Sequence, residues 1–400
     1  MTESIDVQLA SRTNLVPTQP VSRIYFVDYL RAAIISLVFL HHTAITYGAS
    51  GSWYYVVPAT SSGAEGVLSL FTNFNQAWFM GLFFLLSGYF TPSSCGKKGV
   101  SRFIKNRLIR LGIPLLAFFF ILNPITVYLA AVHSSPAVLQ QEGISVPLHF
   151  NFQFYISNLG TGPLWFVEML LIFDLGFALT RVIATKDKLP KQDFPFPSYR
   201  KIGAFILLLA ASAYLLRIVM PIGQSFLQFP SLFDLPQYLS FFIIGTYAGR
   251  RDLLMKMPDT MAKWMFGLAL LASATLLPLA IIGTKVPSLG WGSLYGYGSL
   301  SSAFYALWDS TFAVGTSMFM IGFFRRHYNS RGRLWKYLSE HFYTAYVIQA
   351  PVIVFVAAFV LNSIHIESIL NFILAGIIAV PLIWALSCPV RKIPYANRIL

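Results

Sequence analysis

Apolar runs of about 17 to 25 residues recur along the chain, separated by short polar or basic stretches. At 1.5 Å per helical residue, each is long enough to cross a hydrocarbon core of about 30 Å. The pattern predicts ten transmembrane helices, at 24–47, 74–90, 111–131, 164–180, 202–220, 232–248, 264–283, 304–324, 342–361 and 369–386. The sixth is short and carries Asp234. The fold class expected is therefore all-α, a polytopic membrane helix bundle. It is predicted to divide into an N-terminal tail (1–23), one transmembrane domain (24–387) and a C-terminal tail (388–400). The longest external connection, 132–162, is rich in Pro, Ser and aromatic residues and suits an interfacial cap, whereas the Pro-broken basic segment "TKDKLPKQDFPFPSYRK" suits a tether.

Charge gives the bundle an orientation. Of 29 Lys and Arg residues, 26 fall in the two tails and the connections on one side of the predicted bundle. Lys285 alone falls in the opposite connections, and Arg31 and Arg217 fall inside predicted helices. Basic residues near membrane ends stay cytoplasmic, so both termini are expected in the cytoplasm. The composition agrees, with 56% hydrophobic and only 11% charged residues, against about 25% charged in soluble domains. The net charge of +14 is spread over the basic-side connections. It therefore implies contact with anionic membrane lipid rather than nucleic acid. Cys95 and Cys388 both fall at predicted cytoplasmic helix ends, so neither a disulfide nor a metal site is expected. The polar first 23 residues and the long first helix do not match a cleaved signal peptide.

Polar residues inside the apolar runs are the candidates for chemistry, because membrane burial makes them costly. The first helix contains "DYLRAAIISLVFLHHTAITYG". Arg31 and His42 are eleven residues apart, three turns plus about 20°, and share a face; His41 lies about 80° from Arg31. His42 is therefore the histidine expected to act with Arg31, about 16 Å further along the helix, and His41 is expected to be structural. Asp28, three residues before Arg31, is placed to pair with it. Taken singly, Arg31 also reads as a snorkelling or Asp28-paired charge and His42 as a packing residue; the shared face favours a path across the membrane. Glu168, near the external start of the fourth helix, is expected at a depth similar to His42. There it either orients the imidazole or bonds elsewhere in the bundle. Asp309 enters from the same side, and Arg217 is expected to neutralise one of these acids. At the other end, Lys97, Lys98, Arg102, Lys105, Arg107 and Arg110 form the densest basic patch, beside Ser87 and Gly88, whose small side chains permit close helix approach. Such a patch commonly serves orientation. Arg107 and Arg110, three apart, also suit phosphate, which guanidinium groups bind in pairs.

Five features together resemble the acyltransferase type 3 family of integral membrane acyltransferases. They are the Arg31 and His42 spacing, "FFLLSGYF", the Arg107 and Arg110 pair leading into "RLGIP", "GPLWF", and "SEHFYTAYVIQAPVIV". The likeness spans about residues 23–390, and "RIYFVDYLR" with "GPLWF" lies closest to the glucan succinyltransferase branch. The resemblance implies an acyl-coenzyme A co-substrate entering from the cytoplasm, with no metal or redox cofactor. It also implies a hydroxyl acceptor on a carbohydrate or lipid-linked glycan, acylated at or near the outer face of a bacterial inner membrane. On that plan Arg107 and Arg110, with Arg102 and Lys105, hold the coenzyme phosphates, Arg31 lies on the donor's path, and His42 is the general base with Glu168 beside it. Asp309, Trp165 and Gln349 are the expected acceptor contacts. One departure stands out: many members carry "YLIH-P" where this chain has "YVIQAP", so Gln349 replaces a histidine and cannot take up a proton. The rival class is a proton-coupled transporter or flippase with Arg31, His42 and Glu168 along its pathway. The absence of a visible repeat between the two halves of the sequence speaks weakly against it.

Overall fold

The computed structural model describes residues 24–134, 148–183, 195–226, 229, 231–286, 290–328, 332–364 and 366–400. The N-terminal tail, much of the tether and part of the expected external cap lie outside the described residues. Within them every regular element is helical, and Phe226 and Phe229 form an isolated β-bridge. The helices are α1 (Tyr25–Thr46), α2 (Ser62–Gln76), α3 (Phe79–Lys98), α4 (Val100–His133), α5 (Phe152–Ser157), α6 (Trp165–Ile183) and α7 (Tyr199–Val219). They continue with α8 (Leu235–Arg251), α9 (Leu253–Lys256), α10 (Asp259–Gly283), α11 (Leu300–His327), α12 (Arg333–Val360), α13 (Ser368–Lys392) and α14 (Ala396–Ile399).

All ten predicted spans fall on helices, but six of these helices, α1, α4, α7, α10, α12 and α13, are long and apolar enough to cross a membrane on composition alone. The others depart for local reasons. The second predicted span is cut at Ala77 and Trp78, because its first residues belong to α2, a separate helix capped by Ser61, which accepts from the Ala64 amide at 3.1 Å. α8 has only 17 residues and follows a short 3₁₀ turn, Leu232–Asp234, that commits Asp234 to an ion pair. The basic patch is itself helical: Gly99, at φ 75°, breaks the chain after α3, and Arg102, Lys105, Arg107 and Arg110 ride on the first turns of α4. α4 contains two wide π turns, Leu108–Gly112 and Phe118–Leu122. Each lies just upstream of a proline, Pro114 or Pro124, which has no amide hydrogen to continue the regular ladder.

Helix α1 packs against α2, α11, α12 and α13, so both its functional candidates lie within the bundle. The pairing of α3 with α8 depends on small residues. A Cβ at Gly88 would overlap the Phe242 carbonyl oxygen, one at Gly245 that of Leu85, and one at Gly249 that of Tyr89. Gly245 and Gly249 form a G-x-x-x-G pattern, which lets helix backbones approach closely where lipid supplies no hydrophobic drive for association. Gly88 was legible as a contact residue; its partners on α8 were not.

Candidate active site

The outer-end candidates converge on His42. Its Nδ1 lies 3.0 Å from Gln349 Oε1 on α12, and its ring stacks on Trp53 at a centroid separation of 3.9 Å and 12° between planes. With Gln349 Oε1 as acceptor, the proton resides on Nδ1 and the lone pair on Nε2. His42 is half-buried, whereas His41 is 7% exposed, lies against Phe79 and leaves Nδ1 without a hydrogen-bond partner among the described residues. His42, which shares a helical face with Arg31, is thus the histidine that has a side-chain hydrogen-bond partner.

Gln349, which stands where the resemblance led to a histidine being expected, is fully buried. Its contact is with the candidate base itself. Pro351 lies two residues on and removes the ladder hydrogen bond to Val347, loosening the helix beside Gln349. Two N–H donors next to His42, Trp53 Nε1 and Gln349 Nε2, are buried and have no hydrogen-bond partner among the described residues. Buried unsatisfied donors are uncommon and call for an explanation.

The loop before α6 closes over this end. Tyr54, adjacent to Trp53, donates to Asn123 Oδ1 on α4, and Asn123 Nδ2 donates to the Asn158 carbonyl at 2.9 Å. Burial pushes the Tyr54 phenol up from its ordinary value, so it stays a donor at neutral pH. Gly162 has φ 45°, and a side chain there would overlap the Tyr54 hydroxyl. Tyr346, one turn before Gln349, donates to the Pro163 carbonyl. The glycine and proline of "GPLWF" thus tie the start of α6 to the helix that orients His42.

The other residues predicted at this end make contacts of their own. Trp165 is buried against Tyr238, with ring centroids 5.6 Å apart, and belongs to an aromatic cluster with Phe84 and Phe166. Glu168 is half-buried one turn further on and makes no hydrogen bond to His42. Asp309 is bound at 2.5 Å by Arg217, which also holds Asp234 at 2.7 Å. Tyr238 donates to Asp234 at 3.2 Å, and Gln76 donates to Tyr238 at 3.1 Å. A substrate contact for Asp309 does not follow from this geometry, because the carboxylate is buried and committed to Arg217.

At the basic end, Arg31 donates to the Leu86 carbonyl of α3 at 3.1 Å and lies over the Phe90 ring at 4.8 Å. Asp28 and Arg107 are the charged residues that act on it. Arg107 forms an ion pair with Asp174 of α6 at 2.9 Å, and Thr91 donates to the other oxygen of Asp174 at 2.9 Å. Asp174 was missed in the sequence, although an acid in "LLIFDLG" carries the same signal that marked Glu168. Arg102, Lys105 and Arg110 are exposed, and Arg110 acts electrostatically on Tyr343 of α12. Among the described residues, no group of three His, Cys, Asp or Glu side chains is placed to hold a metal.

A family model described as an acyltransferase domain, of the type 3 acyltransferase group, matches residues 24–388. The chain is 34% identical over 97 residues to the glucans biosynthesis protein C of Salmonella schwarzengrund (strain CVM19633), and likewise to that of Salmonella paratyphi B (strain ATCC BAA-1250 / SPB7). Each match covers 24% of this chain and 24% of the relative, so the chain spans about a quarter of the length of these curated relatives in the alignment. No solved structure matches the chain.

Proposed function

The chain belongs to the acyltransferase type 3 family, and from that premise we propose that this integral membrane acyltransferase moves an acyl group from cytoplasmic acyl-coenzyme A to a glycan hydroxyl, with His42 as general base. The observation that carries the reading is the pairing of His42 with Gln349 and Trp53 on the same helix face as Arg31. Gln349 holds Nδ1–H, so Nε2 takes the proton of the acceptor hydroxyl as its oxygen attacks the thioester carbonyl. The tetrahedral intermediate then collapses, the C–S bond breaks, and the departing thiolate recovers the proton from the imidazolium. Trp53 stacks on the ring and favours its charged form through the electron-rich face of the indole. The unpartnered Trp53 Nε1 and Gln349 Nε2 donors are available to substrate oxygens, including the oxyanion that develops on the carbonyl.

In this reading the coenzyme phosphates lie at Arg31, Arg107 and Arg110, with Arg102 and Lys105 adding to the local positive field. The donor's flexible arm then runs outward along α1 for about 16 Å to His42. Both termini are cytoplasmic on the basic side, the membrane is the bacterial inner membrane, and the acceptor is modified at or near its outer face. The name of the Salmonella relatives supports a glucan-type acceptor, and the reading takes the transferred group to be of the acetyl or succinyl class.

Membranes bearing the wild-type chain or His42→Ala are incubated with acyl-labelled coenzyme A and glucan or lipid-linked glycan extract. The reading expects alkali-labile label on the glycan and equimolar free coenzyme A from wild type, and neither from His42→Ala. Glycan that crosses the membrane while coenzyme A is never released would overturn it in favour of transport.

A further inference from the structure

The loop 47–61 between α1 and α2 carries Trp53 and is fastened to three other parts of the bundle. Val57 returns it to α1: its amide donates to the Thr46 carbonyl at 2.7 Å, and the Thr46 hydroxyl donates to the His42 carbonyl at 3.1 Å. Tyr54 fastens it to Asn123 of α4. The third attachment is to the turn between α12 and α13 and the start of α13. There the Tyr55 phenol donates to Asn362 Oδ1 at 2.9 Å. Thr60 and Ser368 exchange two further bonds, from Thr60 N–H to Ser368 Oγ at 2.9 Å and from Ser368 N–H to Thr60 Oγ1 at 3.2 Å.

The Thr60 bond has a local reason. Ser368 is the first residue of α13, and its amide has no partner within the helix; Glu367 accepts from the next two amides and Thr60 from this one. Tyr55 has no such task at a helix end. Its side chain is 5% exposed, and burial pushes the phenol up from its ordinary value, so it remains a donor at neutral pH. What its bond supplies is a connection. Asn362 follows the end of α12, the helix that carries Gln349, so α12 supports both groups that touch His42. Gln349 reaches the imidazole directly, and Trp53 reaches it through a loop tied to the end of the same helix. Trp53 Nε1 has no hydrogen-bond partner among the described residues, and the indole meets Tyr54 edge-on at 5.1 Å. Its place on His42 therefore depends on ring contacts and on how the backbone at Tyr54 and Tyr55 is anchored.

We propose that Tyr55 and Asn362 are positioning residues for the His42 site: with the help of Thr60 and Ser368, they clasp the α1–α2 loop to the end of α12 and hold the Trp53 indole on the imidazole. Their role in the reaction rests on the reading of His42 as general base. Neither residue touches the imidazole itself; both act through Trp53. A stack at 3.9 Å is lost by a small displacement, and about 1 Å of misplacement costs on the order of 100-fold in rate.

The test labels the full-length protein in detergent with 5-fluorotryptophan and follows the Trp53 fluorine signal, alongside acyl transfer in membranes. Of the eight tryptophan signals, that of Trp53 is the one absent from Trp53→Phe. Tyr55→Phe removes the donor hydroxyl and Asn362→Leu its acceptor. Each should shift the Trp53 signal toward its position in His42→Ala, where the stack is absent. Each should also lower the transfer rate about 2- to 12-fold, the effect of one neutral hydrogen bond, with donor KM unchanged. Tyr55→Phe/Thr60→Val, which loosens both attachments, should lower it roughly 10- to 100-fold. Asn362→Asp, whose carboxylate still accepts from the phenol, should keep signal and rate at wild-type values. In a Trp53→Ala background, Tyr55→Phe should have no further effect. A Trp53 signal unmoved in Tyr55→Phe/Thr60→Val would overturn the proposal. So would an equal further loss of transfer in the Trp53→Ala background, which a merely structural clasp predicts. A signal that moves as expected in a protein that consumes no acyl donor in any form would support the clasp and overturn the reaction assigned to His42.

Discussion

Two buried charge clusters in this bundle look alike in sequence and differ in balance. Around Arg217, one guanidinium meets two carboxylates, Asp234 and Asp309, and all three side chains are 10% exposed or less. Around Arg107, one carboxylate, Asp174, is fully buried, but the arginine side chain is 24% exposed and Arg31 lies close enough to act on it. The first cluster is closed off from solvent and commits its single guanidinium to both carboxylates. The second has an excess of positive charge at the basic end of the bundle, joined there by Arg102, Lys105 and Arg110. Ionisable residues in membrane segments are functional candidates by default; what separates these two is whether a cation remains accessible to a ligand.

The largest expected effect comes from breaking the closed cluster. Arg217→Ala leaves two buried carboxylates unpaired and should destabilise the protein by about 3–5 kcal/mol, the usual consequence of removing one partner from a buried ion pair. Thermal unfolding in detergent, or the yield of monodisperse protein, reads this out. Arg107→Gln should act differently. Thr91 still donates to Asp174, so stability falls by less than in Arg217→Ala, while the KM for donor rises roughly 10- to 100-fold through loss of a charged hydrogen bond. Equal loss of stability in the two variants would erase the distinction between the clusters.

Asp309→Asn sharpens the contrast. Arg217 keeps Asp234, and the amide oxygen still accepts, so the cost is expected to be about 1–3 kcal/mol, with donor KM unchanged. The smallest effect belongs to Gln349→Ala, which removes one neutral hydrogen bond from His42. Acyl transfer should fall by about 2- to 12-fold, with donor binding intact. Gln349→His should recover part of the rate, because an imidazole can also accept from Nδ1–H.

What was legible in the sequence was local. Ten apolar runs located helices, and 3.6-residue periodicity put Arg31 and His42 on one face and separated His42 from His41. An arginine among intramembrane acids read as their neutraliser, and Arg217 holds Asp309. Contacts between distant segments were not legible. Gln349 lies 307 positions from His42, and Trp53 reaches the histidine from a loop, where no periodicity fixes its direction. Helix α2 was hidden because its alternation of small, polar and apolar residues, "SGAEGVLSLFTNFNQ", does not read as a span. Depth alone did not fix partners: Glu168 and Asp309 were expected at a height similar to His42, and Asp309 is held by Arg217, while Glu168 makes no hydrogen bond to the histidine. Asp174 carried a readable signal and was passed over, and its pairing with Arg107 changes the reading of the basic patch from a loop of free cations to a helix end with one anchored arginine.

The central claim is that His42, oriented by Gln349, performs the proton transfer while the arginines at the other end of α1 hold the donor. The most direct measurement compares acyl transfer and donor affinity in His42→Ala and His41→Ala. The account predicts a loss of transfer of about 10²- to 10⁴-fold in His42→Ala, the range for a general base, with donor affinity unchanged. His41→Ala is expected to retain turnover and to lose only the stability expected of a buried packing residue. Equal loss of transfer in both variants, or loss of donor affinity in His42→Ala, would contradict it.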